Sequence, residues 1–109
     1  MKNLFIIFLV TCIFLSATKS AKADGRSIFN SNCAACHLAG GNAVNPEKTL
    51  QQNALKQYLA NYSTDGEAAI ITQVTNGKGA MPPFSDRLNS FEISEVSSYV
   101  EAMSIEGWN

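Results

Sequence analysis

The chain has 109 residues, eight basic and nine acidic side chains, a single histidine and three cysteines. That length allows one small domain, and at this size a core built of side chains alone is marginal. The slightly acidic balance excludes a nucleic-acid binder that works by neutralising phosphates.

The first 23 residues read as a secretory leader. Lys2 supplies a positive start, residues 4–15 an apolar run of 12, and Ala21-Lys22-Ala23 an A-x-A cleavage site. The run is well short of the roughly 20 residues that span a bilayer, so the domain is expected at 24–109 with no permanent membrane span. Cys12 leaves with the leader. So do three of the eight basic residues and none of the acidic ones, which leaves five against nine and a net charge of −4. Such a surface favours docking on a positive patch, at a rate that falls as salt rises.

Asp24 is the expected N-cap of a first helix running to about Asn32, with Ile28 and Phe29 facing inward and Gly25 admitting a second helix closely. That helix delivers Cys33-Ala34-Ala35-Cys36-His37, the order of thiols and imidazole by which a polypeptide acquires covalently attached haem. Two thiols three positions apart reach the two vinyl groups on one porphyrin edge, and the adjacent imidazole falls over the iron as an axial ligand. A dithiol redox motif would need a βαβ context that is missing here. A zinc site would need further Cys or His ligands, and His37 is the only histidine. A Cys33–Cys36 disulfide would close too short a loop to stabilise much.

Beyond His37, Ala39-Gly40-Gly41-Asn42 and Asn45-Pro46 hold too many turn formers for helix or strand, and a loop over one haem face is expected. Leu50, Ala54, Leu55, Tyr58 and Leu59 form one stripe of a second helix that fades by Asn61 or Tyr62. Thr64 and Glu67 have capping-box spacing ahead of a third helix ending at Asn76-Gly77. Asn89 and Glu92 open a fourth, with Ile93, Val96, Val100 and Met103 on one face. No segment alternates as a strand. The expected fold is all-α, about four short helices wrapped around one haem.

The sixth iron position decides the function, and with no second histidine it falls to a methionine, a lysine or an open site. Met103 is in phase with an apolar helix face, where a core role is the ordinary explanation. Met81 lies between Gly77-Lys78-Gly79-Ala80 and Pro82-Pro83, a stretch that forbids helix and presents a thioether stiffly. Thioether sulfur favours Fe(II) and raises the reduction potential, and two protein ligands leave no vacancy for substrate.

With these residues in hand the chain resembles the cytochrome c6 family, soluble class I cytochromes c of cyanobacteria and algal plastids. The resemblance covers 24–109 and rests on GRSIFNSNCAACH at 25–37, NPEKTL at 45–50, QVTNGKGAMP at 73–82, Arg87-Leu88, Tyr99-Val100 and Gly107-Trp108. It implies a class I cytochrome c fold and a monomeric carrier of single electrons, not an enzyme, with one haem c per chain. The carrier would run from cytochrome f of the cytochrome b6f complex to photosystem I, in place of plastocyanin. Its compartment would be the thylakoid lumen, with a periplasm as the alternative. Residue by residue, Cys33 and Cys36 match the thioether positions and His37 and Met81 the axial ligands. Gln73 matches a glutamine near the haem, where its amide either tunes the potential or caps backbone groups. Arg87 matches an arginine implicated in docking to photosystem I. Pro83 and Ser85-Asp86 depart from the family pattern, and Asp86 partly offsets the Arg87 charge. The alternatives are a donor to a respiratory terminal oxidase and a small haem peroxidase, the latter without a distal His or Arg.

Overall fold

The computed structural model describes residues 21–108; residues 1–20, which hold most of the expected leader, and Asn109 lie outside the described residues. The helices are α1 (Ala21–Asn32), α2 (Ala34–His37), α3 (Gln52–Tyr58), α4 (Tyr62–Asp65), α5 (Glu67–Asn76) and α6 (Ser90–Glu106), with a 3₁₀ turn at Leu38–Gly40. No strand is present among the described residues beyond one isolated bridge, Lys78 with Met81, so the all-α expectation holds. No helix among them is long and apolar enough to cross a membrane.

Three local expectations are corrected. Asp24 lies in the first turn of α1 instead of at its N-cap, the helix starting at Ala21 while the expected leader is still attached; its carboxylate complements the helix dipole there. The second helix is only seven residues, since Leu50 and Leu59 fall outside it and Asn61 turns into the left-handed region at φ 63°. The Thr64–Glu67 capping box does not form. Thr64 Oγ1 donates back to the Asn61 carbonyl at 3.1 Å, and Gly66, at φ 57°, becomes the uncapped N-cap of α5. The segment thus gains the extra turn α4, and among the described residues six α-helical segments replace the four expected.

The Asn89 box does form. Asn89 Oδ1 accepts from the Glu92 N–H at 2.8 Å, and Glu92 Oε1 accepts from the Asn89 N–H at 3.0 Å. The 17-residue α6 that it starts carries the core: Ile93, Val96 and Val100 are buried against Ile70 and Val74 of α5, with Met103 at the margin. Helix α1 crosses α6 at Gly25, where a β-carbon would run into the Glu95 carbonyl and the Tyr99 side chain. Beyond the crossing Phe29, Tyr99 and Trp108 form a triad with ring centroids 5.1, 5.5 and 5.8 Å apart. Each such pair contributes about 0.5–1.5 kcal/mol beyond the area it buries. This crossing holds the end of α1, and with it the Cys33–His37 turn, in place.

Candidate functional site

The Cys33–His37 segment is one helical turn hung on α1. The Cys33 N–H donates to the Phe29 carbonyl at 2.8 Å and the His37 N–H to the Cys33 carbonyl at 2.9 Å. Cys33 is half-buried and Cys36 exposed, and no disulfide joins them. Burial, helped by the neighbouring Cys36, pushes the Cys33 thiol up to about 11. A thiol that keeps its proton is a poor metal ligand and a poor disulfide nucleophile. Among the described residues no cluster of three or more His, Cys, Asp or Glu could hold a metal ion.

His37 Nδ1 lies 2.9 Å from the Gly41 carbonyl oxygen. A carbonyl only accepts, so Nδ1 carries the proton and Nε2 is left with its lone pair directed away from that bond. The ring is held in the tautomer an axial iron ligand needs. The loop that supplies the carbonyl is tied down by Asn42, whose Oδ1 accepts from the Val44 and Asn45 N–H groups at 3.0 and 2.9 Å, while its Nδ2 donates to the Lys48 carbonyl at 3.0 Å.

Met81 sits on a turn closed from both sides. Helix α5 stops at Gly77, at φ 66°, and the Lys78 and Met81 backbones exchange two hydrogen bonds of 3.0 Å. A β-carbon on Gly77 would lie 2.5 Å from the Met81 carbonyl oxygen and 2.6 Å from backbone atoms of Pro82 and Pro83. After the prolines the chain is anchored by the Phe84 N–H to the Val74 carbonyl at 3.0 Å. Met81 is half-buried, and together with Cys33, Ala34, Leu50, Leu59 and Ile71 it packs against the buried cluster without joining it.

These residues fit a covalently held haem. Two unpaired thiols stand three positions apart on one helical turn, an imidazole has a free Nε2, a thioether lies on a stiff turn, and partly buried apolar side chains can face a porphyrin. Cys33 and Cys36 would carry the thioethers, and His37 and Met81 the iron.

Gln73, on α5, is half-buried; its backbone carbonyl accepts the Gly77 N–H at 2.7 Å, and its side-chain amide has no hydrogen bond among the described residues. In this structure the amide caps no backbone group. Arg87 is exposed, with its guanidinium 5.4 Å from the Phe84 ring centre, and makes no ion pair with Asp86. Sequence reasoning missed the Gly41 carbonyl and the Trp108 indole that packs over Gly40. The Gly40-Gly41-Asn42 triplet signalled only a turn.

An all-α domain with a Cys-x-x-Cys-His turn at the end of its first long helix, and a methionine on a stiff turn ahead of its last, is a class I c-type cytochrome. The family model described as "Cytochrome C oxidase, cbb3-type, subunit III" matches residues 20–100. A cytochrome c6 of Picosynechococcus sp. is 47% identical over 109 residues, covering 92% of this chain and 92% of that protein. The chloroplastic cytochrome c6 of Chlamydomonas reinhardtii is 50% identical over 95 residues, 84% of this chain and 61% of that protein. The solved cytochrome c6 of the diatom Phaeodactylum tricornutum superposes with a TM-score of 0.76 at 53% identity, covering 80% of this chain and 98% of that one. The chain belongs to the cytochrome c6 family. It is accordingly an electron carrier and not an enzyme, and its cofactor is covalently bound haem c.

Haem c supplies one-electron exchange between Fe(III) and Fe(II). The chain's own part would be to hold the two candidate iron donors still. His37 is fixed by its bond to Gly41, and Met81 by the Lys78 turn and the prolines. Donors held in this way would rearrange little on reduction, which would keep the reorganisation small.

Proposed function

We propose that this protein carries single electrons from cytochrome f of the cytochrome b6f complex to photosystem I, as a monomer in a thylakoid lumen, after loss of residues 1–23. Cys33 and Cys36 hold the haem, His37 and Met81 its iron, and the Gln73 amide lies beside the ring and tunes its potential. The observation that carries the reading is the 2.9 Å contact of His37 Nδ1 with the Gly41 carbonyl, which leaves the Nε2 lone pair for iron. The kinship with cyanobacterial and chloroplastic cytochromes c6 supports the photosynthetic partners.

Docking would be brief. Leu38 and Val44, 76% and 59% exposed, flank the haem motif and offer a small apolar contact of the transient kind. Arg87 adds a charge that steers the approach. The test is flash-induced reduction of photosystem I by the purified holoprotein. Reduction that speeds up with protein concentration and changes with salt is expected. In the same assay Arg87→Gln slows delivery and flattens the salt dependence while leaving stability within about 0.5 kcal/mol. A respiratory terminal oxidase is the second acceptor, favoured by the description of the matching family model. Oxidase turnover with no reduction of photosystem I would replace the first reading by this one.

A further inference from the structure

The turn that carries the His37 hydrogen bond is not a relaxed one. Ala39, at φ 52°, and Gly40, at φ 74°, both lie in the left-handed region, which disfavours any residue with a β-carbon. A conformation of this kind persists only where its surroundings over-determine it, and here the surroundings are the end of the chain. The Trp108 indole fills the space that a β-carbon on Gly40 would need. Its Nε1–H donates to the Leu50 carbonyl at 2.9 Å, and the Leu50 N–H donates in turn to the Gly40 carbonyl at 2.7 Å. The residue after Gly40 is Gly41, whose carbonyl accepts from His37 Nδ1 at 2.9 Å. A continuous set of contacts thus runs from the indole through Leu50 and Gly40 to the imidazole, and Phe29 and Tyr99 wedge the indole from its other sides.

We infer that Trp108 is a positioning residue for the redox couple, holding the Gly41 carbonyl on His37 through Leu50 and Gly40 and thereby setting the reduction potential from the histidine side. The inference rests on the reading that His37 is an iron ligand. An imidazole that donates its Nδ1–H to a well-placed carbonyl is the more basic donor through Nε2, and a more basic axial donor favours Fe(III). Slackening the carbonyl therefore favours Fe(II) and raises the potential. His37 keeps its place meanwhile, because the bonds from the His37 N–H to Cys33 and from the Ala43 N–H to the Cys36 carbonyl, both 2.9 Å, do not pass through Trp108.

The experiment compares holoproteins carrying Trp108→Leu, Trp108→Phe and Ile93→Ala with the parent. Trp108→Phe keeps a ring over Gly40 but loses the bond to Leu50, and Trp108→Leu loses both. Ile93→Ala weakens the core at the other end of α6. Equilibration with a fixed redox mediator should favour the reduced form about threefold to tenfold more in Trp108→Leu, which is about 28 to 59 mV for a one-electron couple. Trp108→Phe should fall between Trp108→Leu and the parent, and Ile93→Ala should melt lower with its potential unmoved. Nuclear magnetic resonance of the His37 ring N–H should show faster exchange in both Trp108 variants. Unchanged potential and ring N–H exchange in both, with melting lowered as in Ile93→Ala, would make Trp108 a core residue only and overturn the inference. A His37 Nδ1–H that already exchanges freely in the parent would overturn it without any variant. Resonances showing that His37 is not on the iron in the parent would instead remove the site reading beneath it.

Discussion

Gly77→Ala offers the sharpest test of how Met81 is held. The residue stands at φ 66°, and a β-carbon there would lie 2.5 Å from the Met81 carbonyl oxygen, closer than real β-carbons come, with Pro82 and Pro83 backbone atoms at 2.6 Å. None of these is the free end of a side chain that could swing away. The backbone conformation alone costs about 1–3 kcal/mol for a residue with a side chain. Displacing the turn adds an overpacking cost of about 1–3 kcal/mol, so the substitution should destabilise by about 2–6 kcal/mol. Gly79→Ala is the internal reference. It also has a positive φ, 58°, but nothing within 4 Å of where its β-carbon would stand, so only about 1–2 kcal/mol of conformational cost applies. Denaturant unfolding of the holoprotein measures both values. The sulfur-to-iron charge-transfer band of the oxidised form reports whether Met81 is still in place, and Gly77→Ala should weaken it while Gly79→Ala leaves it intact. Equal stability losses in the two variants, with the band unchanged in both, would refute the claim that Gly77 exists to let the Met81 turn close.

Other outcomes follow from named contacts. Met81→Ala should abolish the sulfur band and lower the potential, while Met103→Ala, a core truncation, should cost about 2–5 kcal/mol and leave the band alone; the reverse pattern would exchange their roles. The Tyr62 hydroxyl donates to Glu101 Oε2 at 2.8 Å in a site only 4% exposed. Burial first, then Glu101, raise its pKa above the ordinary 10, against smaller lowering effects of Gln52 and Ser104. Because the folded state holds the proton longer, this contribution is complete below about pH 10 and is lost as pH rises through the raised value. Tyr62→Phe should remove that alkaline slope from a stability–pH series and cost about 1.5–3 kcal/mol at neutral pH, the range for hydrogen bonds to a charged group. Ser97 is fully buried and its hydroxyl has no partner, so Ser97→Ala should raise the melting temperature, an unmade hydrogen bond costing about 1–3 kcal/mol; a lower melting temperature would mean the hydroxyl is satisfied after all.

What could be read from the residues was whatever depends on neighbours along the chain. Asn89 and Glu92 formed their capping box because both partners sit within one turn and nothing intervenes. Thr64 and Glu67 have the same spacing, yet Gly66 between them took a positive φ and split the segment into two helices. The stiff turn at Met81 was legible through its flanking glycines and prolines, whose backbone limits act locally. The Gly41 carbonyl was not, since every residue carries one and nothing in the sequence marks which will meet an imidazole. Trp108 acts on Leu50 across 58 positions, a contact that only the packing of α1 on α6 creates. The Gln73 amide shows the same limit, because its freedom from hydrogen bonds is a property of the folded surroundings.

The two candidate iron donors, His37 and Met81, are not anchored equally. The imidazole arm hangs from α1 through the Phe29 carbonyl and is stitched again by the Ala43 bond. The thioether arm is the six-residue stretch 78–83, in which Lys78, Gly79, Ala80, Pro82 and Pro83 all face water. Segments with few buried contacts open at far lower free energy than the body of a fold. With Met81 on the iron, as proposed, warming is expected to free the methionine while the helices still stand. Carbon monoxide should then begin to bind the reduced protein below the melting temperature, which a spectrum taken during heating would read.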